Sequence, residues 1–397
     1  MTKRQGLKPR SQKFVLRIGS WTNDQMSWIS RIPGAFFVFR LIYKRLYPAP
    51  GPDVRFRQSL TRTALRPIGK IMIVSPKSCA DSNVPWGPAE GNFFYEIWQS
   101  AIERFGAQRV LLHQVAPGDA GWAERLVSDI EAQDPTHVIF HGEENPNGEV
   151  NSWPGVGATL AGVWTGELIF LMYDSVYWWH IFAAETLAEV YPNVSVHATD
   201  TFPRELGKGI PRSGPGLLPT SLETIKILER RALFANRPDA PQSLTFVGSH
   251  YPDRIKQLAK FARRGIDIVV NPQRAGKSEK PSYEEYAAAI GHSWATINLS
   301  RNHGMPRKHV KARVLEAPLF GTLLVTDERK LTSGLIPEDG FVYFRSGRDL
   351  KRLMRRLRAN PQEHEAIRDR GQRYAHGLAQ SSFWDAIEGM PGRNPSE

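Results

Sequence analysis

Glu316 is the only charged residue between Arg313 and Asp327, in a stretch where an apolar helix leads into a buried strand, KARVLEAPLFGTLLVTDE (residues 311–328). A carboxylate in such surroundings needs hydrogen-bond donors, because burying an unpaired charge is costly. Two vicinal hydroxyl groups, as in a ribose, are donors of the right kind. A neighbouring arginine would serve equally well, and Glu316 would then have only a structural role. The residue types alone leave both interpretations open.

Five cations surround the start of the same predicted helix. They fall in the loop SRNHGMPRKHVKAR (residues 300–313) and are Arg301, Arg307, Lys308, Lys311 and Arg313. A helix N-terminus already attracts anions through its free N–H groups and its dipole, and guanidinium and ammonium groups strengthen that preference. The loop also follows a predicted strand, where open α/β sheets bind ligands. This pattern predicts a diphosphate site, and the alternative is a solvated basic loop.

Acid–base candidates occur where predicted strands in the first half of the chain end. Asp174 follows ELIFLMY, His141 follows THVIF and Ser75 follows IMIV. A carboxylate or an imidazole at such a position could accept the proton of a hydroxyl group. Aspartate and histidine at strand ends also cap loops, which is the structural alternative for each of them. We expect Asp174 and His141 to be the catalytic candidates.

The elements that must position these residues alternate between strand and helix. From residue 70 the strand pattern GKIMIVS is followed by the helical pattern FFYEIWQSAIERFG, and the alternation continues. A second series starts at LTFVGSH, after a segment at residues 232–243 that contains two prolines and is predicted to be a linker. Such alternation indicates parallel sheets covered by helices on both faces. The predicted fold class is α/β, with two doubly wound, Rossmann-like domains that face each other across a cleft.

The net charge of +12 is concentrated near the N-terminus. Residues 1–70 hold 15 Lys and Arg against Asp24 and Asp53, a balance of +13, so the rest of the chain is near neutral. Within them, IPGAFFVFRLIYKRLYP predicts a helix between Pro33 and Pro48. Such a helix could lie in an anionic membrane interface, or dock on the protein with a solvated basic edge. A nucleic-acid-binding arm and a transit peptide are further interpretations.

The composition is that of an ordinary globular protein. It is 41% hydrophobic and 23% charged, and no segment reaches the roughly 20 apolar residues that a membrane-spanning helix needs. Cys79 is the only cysteine, which excludes an intramolecular disulfide and a thiolate zinc site and favours a reducing, cytoplasmic location. No Asp-x-Asp pair occurs in the sequence. We therefore expect a site without a bound metal, in which cations and a helix N-terminus hold the anion.

The second series resembles a known family. LTFVGSHYPDRIKQLAKFARRGIDIVV, SYEEYAAAIGHSWATINLS, KARVLEAPLFGTLLVTDE and DGFVYFRSGRDLKRLMRRL look like the C-terminal donor domain of GT-B glycosyltransferases, in the same order. Within the group-1 enzymes they are most similar to the CgeB-like, spore-maturation branch, over roughly residues 240–375. The first half of the chain matches more loosely, through LIFLMYDS and GLLPTS.

The resemblance implies roles for the basic loop and for Glu316. In the pattern R-x-x-E-A-x-x-x-G, which starts here at Arg313, the glutamate is Glu316 and holds the nucleotide ribose. The residues expected to bind a nucleotide-sugar are Gly248, Ser249, Arg301, Arg307, Lys308, Arg313 and Glu316. Many group-1 enzymes carry the first glutamate of a Glu-x7-Glu pair where this chain has Lys308. The usual contact of that glutamate with the donor sugar therefore does not carry over.

The sequence is expected to form four parts, which are a basic extension with a membrane-surface helix (1–69), an acceptor domain (70–235), a donor domain (236–375) and a C-terminal helix and tail (376–397). The expected function is transfer of a sugar to an acceptor hydroxyl in surface glycan or glycoconjugate biosynthesis. The nucleotide-sugar is a co-substrate, and no cofactor or metal is expected.

The expected acceptor is a lipid-linked or surface glycan, and the expected location is the cytoplasm, peripheral on the inner face of the membrane. One alternative is a non-catalytic protein that binds nucleic acid or an anionic surface on the same scaffold. Nucleic acid is not expected, because the basic charge lies outside the folded domains. Another alternative is a sugar epimerase of GT-B shape, which would use carboxylates and histidine in the same cleft.

Overall fold

The structure is a computed structural model of the 397-residue chain. It describes residues 34–46, 67–76, 89–115, 119–141, 153–173, 178–200, 204–230, 242–248, 252–270, 283–301 and 308–390.

Parallel strands form the first sheet, in the order β2-β1-β3-β4-β5-β6. Their bounds are β1 Ile71–Pro76, β2 Val110–Val115, β3 His137–His141, β4 Glu167–Met172, β5 Val194–Ala198 and β6 Arg212–Ser213. Successive side chains of a strand point to opposite faces, so Ile71 and Ile73 pack on one face while Met72 and Val74 pack on the other. Both faces are apolar because helices cover both, as is usual for a parallel sheet.

The helices before the second sheet are α1 Ala35–Leu46, α2 Ala89–Phe105, α3 Trp122–Gln133, α4 Trp153–Leu160, α5 Trp178–Val190 and α6 Leu222–Arg230. Side chains of α3, α4 and α5 pack on the face of the first sheet that carries Met72 and Val74. Side chains of α2 pack on the opposite face. This is the alternation of strand and helix that the sequence predicts.

The second sheet is also parallel, in the order β11-β10-β9-β7-β8. Its strands are β7 Leu244–Phe246, β8 Ile268–Val270, β9 Ala295–Asn298, β10 Leu323–Thr326 and β11 Val342–Tyr343. Counted from its own first strand, this sheet has the same winding as the first five strands of the other sheet. In both, the winding direction reverses between the first and third strands, which is where doubly wound folds bind ligands. The predicted architecture of two doubly wound α/β domains is confirmed.

The remaining helices are α7 Pro252–Ala262, α8 Tyr283–Gly291, α9 Arg313–Leu319, α10 Lys330–Ser333, α11 Gly347–Ala359 and α12 Pro361–Glu388. The last of these connects the two domains, since Ala379 packs in the second domain whereas Phe383 and Trp384 are buried in the core of the first. Burying a side chain of this size contributes about 1.5–3 kcal/mol, so the contact anchors α12 firmly. The expected boundary after residue 375 falls inside this helix.

A buried carboxylate holds the start of α6, the last described element before the predicted linker. Glu96 of α2 accepts hydrogen bonds from the backbone N–H of Ser221 and from the hydroxyl of Thr224, both at 2.6 Å. Burial raises the pKa of Glu96 to about 7, and the hydrogen bonds from Ser221 and Thr224 oppose that rise. Of the predicted linker at 232–243, only residues 242 and 243 are described.

The helix predicted within the basic extension is confirmed as α1, and two cations of its basic edge are ion-paired with the first domain while still partly exposed. Arg40 pairs with Glu185 of α5 at 2.7 Å, and Lys44 pairs with Glu189 of the same helix. The sequence interpretation missed these pairs because the two carboxylates lie far along the chain. Within the described ranges, no helix is both long and apolar enough to cross a bilayer.

Candidate functional site

The candidate site lies at the carboxyl ends of β7 and β9, where the second sheet reverses its winding. Gly248 follows β7 with a φ of +151°, in a region that favours glycine. A Cβ at this position would lie 3.1 Å from Nη1 of Arg313. The absence of a side chain at Gly248 therefore lets the Arg313 guanidinium come close to the backbone after β7.

Arg313 is the first residue of α9 and is held between two aromatic rings. The carbon of its guanidinium lies 5.8 Å from the ring centroids of both Phe246 and Tyr286. Its Nη2 donates a hydrogen bond to the Tyr286 hydroxyl at 3.0 Å. Its Nε is buried and has no hydrogen-bond partner in the described part of the protein. A rigidly held cation with an unused donor is suited to an anionic ligand.

Glu316 lies one turn further along α9 and shares the Tyr286 hydroxyl with Arg313. The hydroxyl donates to Glu316 Oε2 at 2.5 Å. Burial raises the pKa of Glu316, while Arg313 and the hydrogen bond from Tyr286 favour the ionised form. Burial also raises the pKa of Tyr286, so that its hydroxyl stays protonated and acts as a donor. The result is a chain of hydrogen bonds from the arginine through the tyrosine to the carboxylate.

Two further arginines extend this cationic cluster. Arg301 is exposed, and its backbone carbonyl accepts a hydrogen bond from Arg254 Nη2 at 3.3 Å. Arg254, in the first turn of α7, lies 5.5 Å from the centroid of the Phe246 ring that Arg313 also covers. The guanidinium groups of Arg254 and Arg313 therefore meet at the carboxyl end of β7, and the backbone of Arg301 lies beside Arg254.

The Lys308 side chain contacts the segment that follows β10. Its ammonium donates to the backbone carbonyl of Asp327 and lies 3.5 Å from the Glu328 carboxylate. The Asp327 carboxylate accepts hydrogen bonds from the N–H and the hydroxyl of Ser300, at 2.8 and 2.6 Å. Lys308 is thus ion-paired with the segment after β10, at the position where the resembling family usually has a glutamate.

Three of the predicted site residues lie outside the described residues, namely Asp174, Ser249 and Arg307. His141, the other catalytic candidate, lies within the described residues. Its ring lies 4.3 Å from the Tyr173 ring, with an interplanar angle of 30°, and meets the Phe94 ring edge-on at 6.2 Å. His141 ends β3, and the neighbouring β1 carries the buried Ser75. Both residues therefore stand at the switch point of the first sheet.

A contact between Asp200 and His309 brings the two domains together beside the site. Asp200 follows β5 of the first sheet, and its Oδ2 lies 2.6 Å from His309 Nδ1. Its backbone carbonyl also accepts a hydrogen bond from the N–H of Val310 at 2.8 Å. Asp200 and His309 are both buried. The carboxyl edge of the first sheet therefore touches the loop that leads into α9.

Sequence reasoning singled out Arg313 and Glu316 as candidates, but it did not single out Tyr286, Arg254 or Asp200, which lie in or beside the candidate site. Arg254 carried a signal, since it falls in the first turn of the helix that follows Gly248. Tyr286 lies within SYEEYAAAIGHS, where it looks like any apolar-face residue of a helix. Nothing in the sequence marks Asp200 as a partner of a residue 109 positions away.

The second domain matches a family model. Residues 229–382 match the model described as glycosyl transferase-like. This segment contains the whole second sheet together with Arg313, Tyr286 and Glu316. The second domain is therefore glycosyltransferase-like. No curated protein matches the chain significantly.

Solved structures resemble the chain over about four fifths of its length. Sucrose-phosphate synthase from Thermosynechococcus elongatus superposes with a TM-score of 0.50 and 12% identity, over 80% of this chain and 96% of that one. Anabaena HepE, crystallised with UDP and glucose, gives a TM-score of 0.47 and 12% identity, over 81% and 99%. AviGT4, a glycosyltransferase involved in avilamycin A biosynthesis, gives 0.46 and 14%, over 81% and 97%. The likeness to the synthase shows the fold, which is the two-domain GT-B fold.

Proposed function

We propose that this protein transfers a sugar from a nucleotide-sugar to an acceptor hydroxyl. The observation that carries the proposal is the hydrogen-bonded series from Arg313 through Tyr286 to Glu316. It lies beside Gly248 at the switch point of a glycosyltransferase-like domain. It combines a fixed cation and a fixed carboxylate at one edge of the sheet. A nucleoside diphosphate needs both, one for its phosphates and one for its ribose.

In this proposal Glu316 accepts hydrogen bonds from the ribose hydroxyls with the carboxylate oxygen that Tyr286 does not use. Tyr286 fixes the orientation of the carboxylate, and Arg313 favours its ionised form. An ionised carboxylate accepts stronger hydrogen bonds than a neutral one. Tyr286 is therefore a positioning residue for Glu316.

In this proposal Arg313, Arg301 and Arg254 bind the diphosphate together with Gly248, Ser249 and Arg307. When the bond between the sugar and the diphosphate breaks, negative charge grows on the leaving phosphate oxygens. Guanidinium groups that are already in place stabilise that charge without reorganisation. The chemistry that a metal supplies in other transferases is assigned here to these cations.

The acceptor is proposed to bind against the first domain, with its hydroxyl directed to the donor. The new bond forms between that oxygen and the sugar, and the hydroxyl proton passes to His141 or Asp174. We also propose that the enzyme belongs to the CgeB-like branch of the group-1 transferases and acts in surface glycan or glycoconjugate biosynthesis. The motif from Arg313 to Gly321 supports that placement.

A thermal-shift panel of UDP-, GDP-, ADP- and dTDP-sugars tests the donor site. At least one of them should raise the melting midpoint of the wild type, and Glu316→Ala should reduce that shift. Glu365→Ala, which removes an exposed carboxylate on α12, is the matched control and should respond as the wild type does. The proposal fails if no nucleotide-sugar shifts the midpoint, or if Glu316→Ala responds as fully as Glu365→Ala.

A further inference from the structure

Helix α1 is docked on the first domain through one of its faces. Phe36 and Tyr43 contact the ring of Phe182, with centroid distances of 5.2 and 5.6 Å. The ion pairs of Arg40 and Lys44 with α5 lie on the same side. Residues 36, 40, 43 and 44 recur at the spacing of one helical face. The helix is therefore fixed to the domain by both apolar and charged contacts.

The opposite face of α1 is apolar and exposed. Phe37 is 64% exposed, Val38 56%, Leu41 70% and Ile42 48%. These positions follow the pattern i, i+1, i+4, i+5, so the four side chains form one continuous stripe. In the described part of the chain, they are half of the eight exposed large hydrophobic side chains. Such a concentration on one short helix is unusual for a protein surface that only faces water.

Exposed cations lie at the C-terminal end of α1 and in the loop beside its docked face. Arg45 is exposed at the C-terminal end of α1. Arg204 and Lys208 are exposed in the neighbouring loop, whose Gly207 N–H donates to the same Glu185 that pairs with Arg40.

The sequence on either side of α1 adds to this charge. Residues 1–33 carry seven Lys and Arg against one Asp, and residues 47–66 carry four Arg against one Asp. An apolar stripe flanked by cations complements a surface that is apolar below a layer of negative charge.

We propose that α1 binds the surface of an anionic lipid bilayer. The side chains of Phe37, Val38, Leu41 and Ile42 insert at the boundary between headgroups and acyl chains, and the surrounding cations contact the anionic headgroups. The other face of α1 stays on α5, so binding holds the first domain against the bilayer. This inference goes beyond the proposed transferase activity and does not rest on it.

Vesicle co-sedimentation of the full chain tests the proposal. The probes are vesicles of phosphatidylcholine alone and of phosphatidylcholine mixed with phosphatidylglycerol. The wild type should pellet with the mixed vesicles, pellet less with phosphatidylcholine alone, and be released by salt. Phe37→Ser/Leu41→Ser should lower the binding constant at least about tenfold, because it removes two apolar groups from the inserted face. Val163→Ser, which changes an exposed apolar side chain elsewhere on the first domain, is the control and should bind as the wild type does.

Four results would overturn the proposal. The wild type fails to pellet with anionic vesicles, or the double variant pellets as well as Val163→Ser does. Alternatively, light scattering shows a dimer that the double variant makes monomeric without any vesicle binding, so that the stripe contacts a second copy. A lower melting midpoint of the double variant with unchanged vesicle binding also counts against it, since the stripe would then be covered by the chain itself. The thermal shift with nucleotide-sugars is unaffected by any of these results and tests the transferase proposal separately.

Discussion

The Tyr286 hydroxyl donates a hydrogen bond to Oε2 of Glu316 at 2.5 Å, while Arg313 Nη2 donates one to the same hydroxyl at 3.0 Å. One phenol thus connects the first residue of α9 with the carboxylate one turn further on. Both neighbours of the hydroxyl are residues of the R-x-x-E motif. The tyrosine itself comes from α8, outside the motif.

Tyr286→Phe should weaken the binding of the nucleoside diphosphate about tenfold, since a hydrogen bond to a charged group is worth roughly 1.5–3 kcal/mol. The ring remains to pack against Arg313, so the fold should be kept, but the melting midpoint should fall because the Glu316 carboxylate loses a donor. The pKa of Glu316 should also rise, because the hydrogen bond from Tyr286 favours its ionised form. Titration calorimetry measures the affinity, with Tyr374→Phe, a half-buried tyrosine on α12, as the control. Equal affinities of the two variants would remove Tyr286 from the site.

Gly248→Ala should both destabilise the protein and impair ligand binding. A φ of +151° is strained for alanine by about 1–3 kcal/mol, and the new Cβ would stand 3.1 Å from Arg313 Nη1. Gly377→Ala is the contrasting control, since a Cβ there meets nothing within 4 Å and Gly377 lies inside α12. That substitution should stabilise the protein by about 0.5–1 kcal/mol. Urea denaturation measures the free energy of unfolding of both variants. If both substitutions change it in the same direction, this account of Gly248 is wrong.

Much of the fold and part of the site could be predicted from the sequence. The short apolar runs IMIVS and LIFLM alternate with helical patterns, which favours buried strands, and the spacing of Arg313 and Glu316 placed both on one helix start. Local patterns cannot show which distant residue completes a contact. This is why Tyr286 was missed, and why Lys308 was grouped with the diphosphate cations although it lies against Asp327 and Glu328.

Glu96→Gln should become more stable relative to the wild type as the pH rises. In the folded protein the pKa of Glu96 is raised from 4.5 to about 7. Between these values the folded state holds a proton that the unfolded state has lost, so this group's contribution to stability falls with rising pH. The glutamine variant lacks this loss. Its free energy of unfolding, relative to that of the wild type, should therefore increase by on the order of 2–3 kcal/mol from pH 5 to pH 8.

Urea denaturation at several pH values measures the effect of Glu96. Thr224→Val serves as a second variant, because it removes a hydrogen bond that favours the ionised carboxylate. The pH dependence should then extend to higher pH. A stability difference between Glu96→Gln and the wild type that stays constant with pH would show that Glu96 does not titrate in this way.

Asp200→Ala should lower stability and nucleotide affinity together. It removes the partner of His309 and leaves a buried imidazole between the domains, which costs about 1–3 kcal/mol. The contact between Asp200 and His309 holds the loop before α9 against the first domain. Without it, we expect Arg313 to be held less rigidly. Asp129→Ala is the control, since that carboxylate contacts His113 at 2.7 Å but is 55% exposed. It also removes the partner of a buried imidazole, His113, but this lies away from the contact between the domains, so nucleotide binding should stay unchanged. If Asp200→Ala and Asp129→Ala change the nucleotide affinity equally, the contact between Asp200 and His309 does not couple the domains.

The proposed contact between Glu316 and the ribose is tested most directly by a double-mutant cycle in which one change is made in the ligand. The affinity of the best nucleoside diphosphate from the thermal-shift panel is compared with that of its 2′-deoxy and 3′-deoxy analogues, on the wild type and on Glu316→Ala. The wild type should lose about tenfold in affinity when a hydroxyl that Glu316 accepts from is removed. Glu316→Ala should bind the nucleotide and that analogue equally. If the variant still discriminates as strongly as the wild type, Glu316 does not hold the ribose and the proposed donor site is wrong.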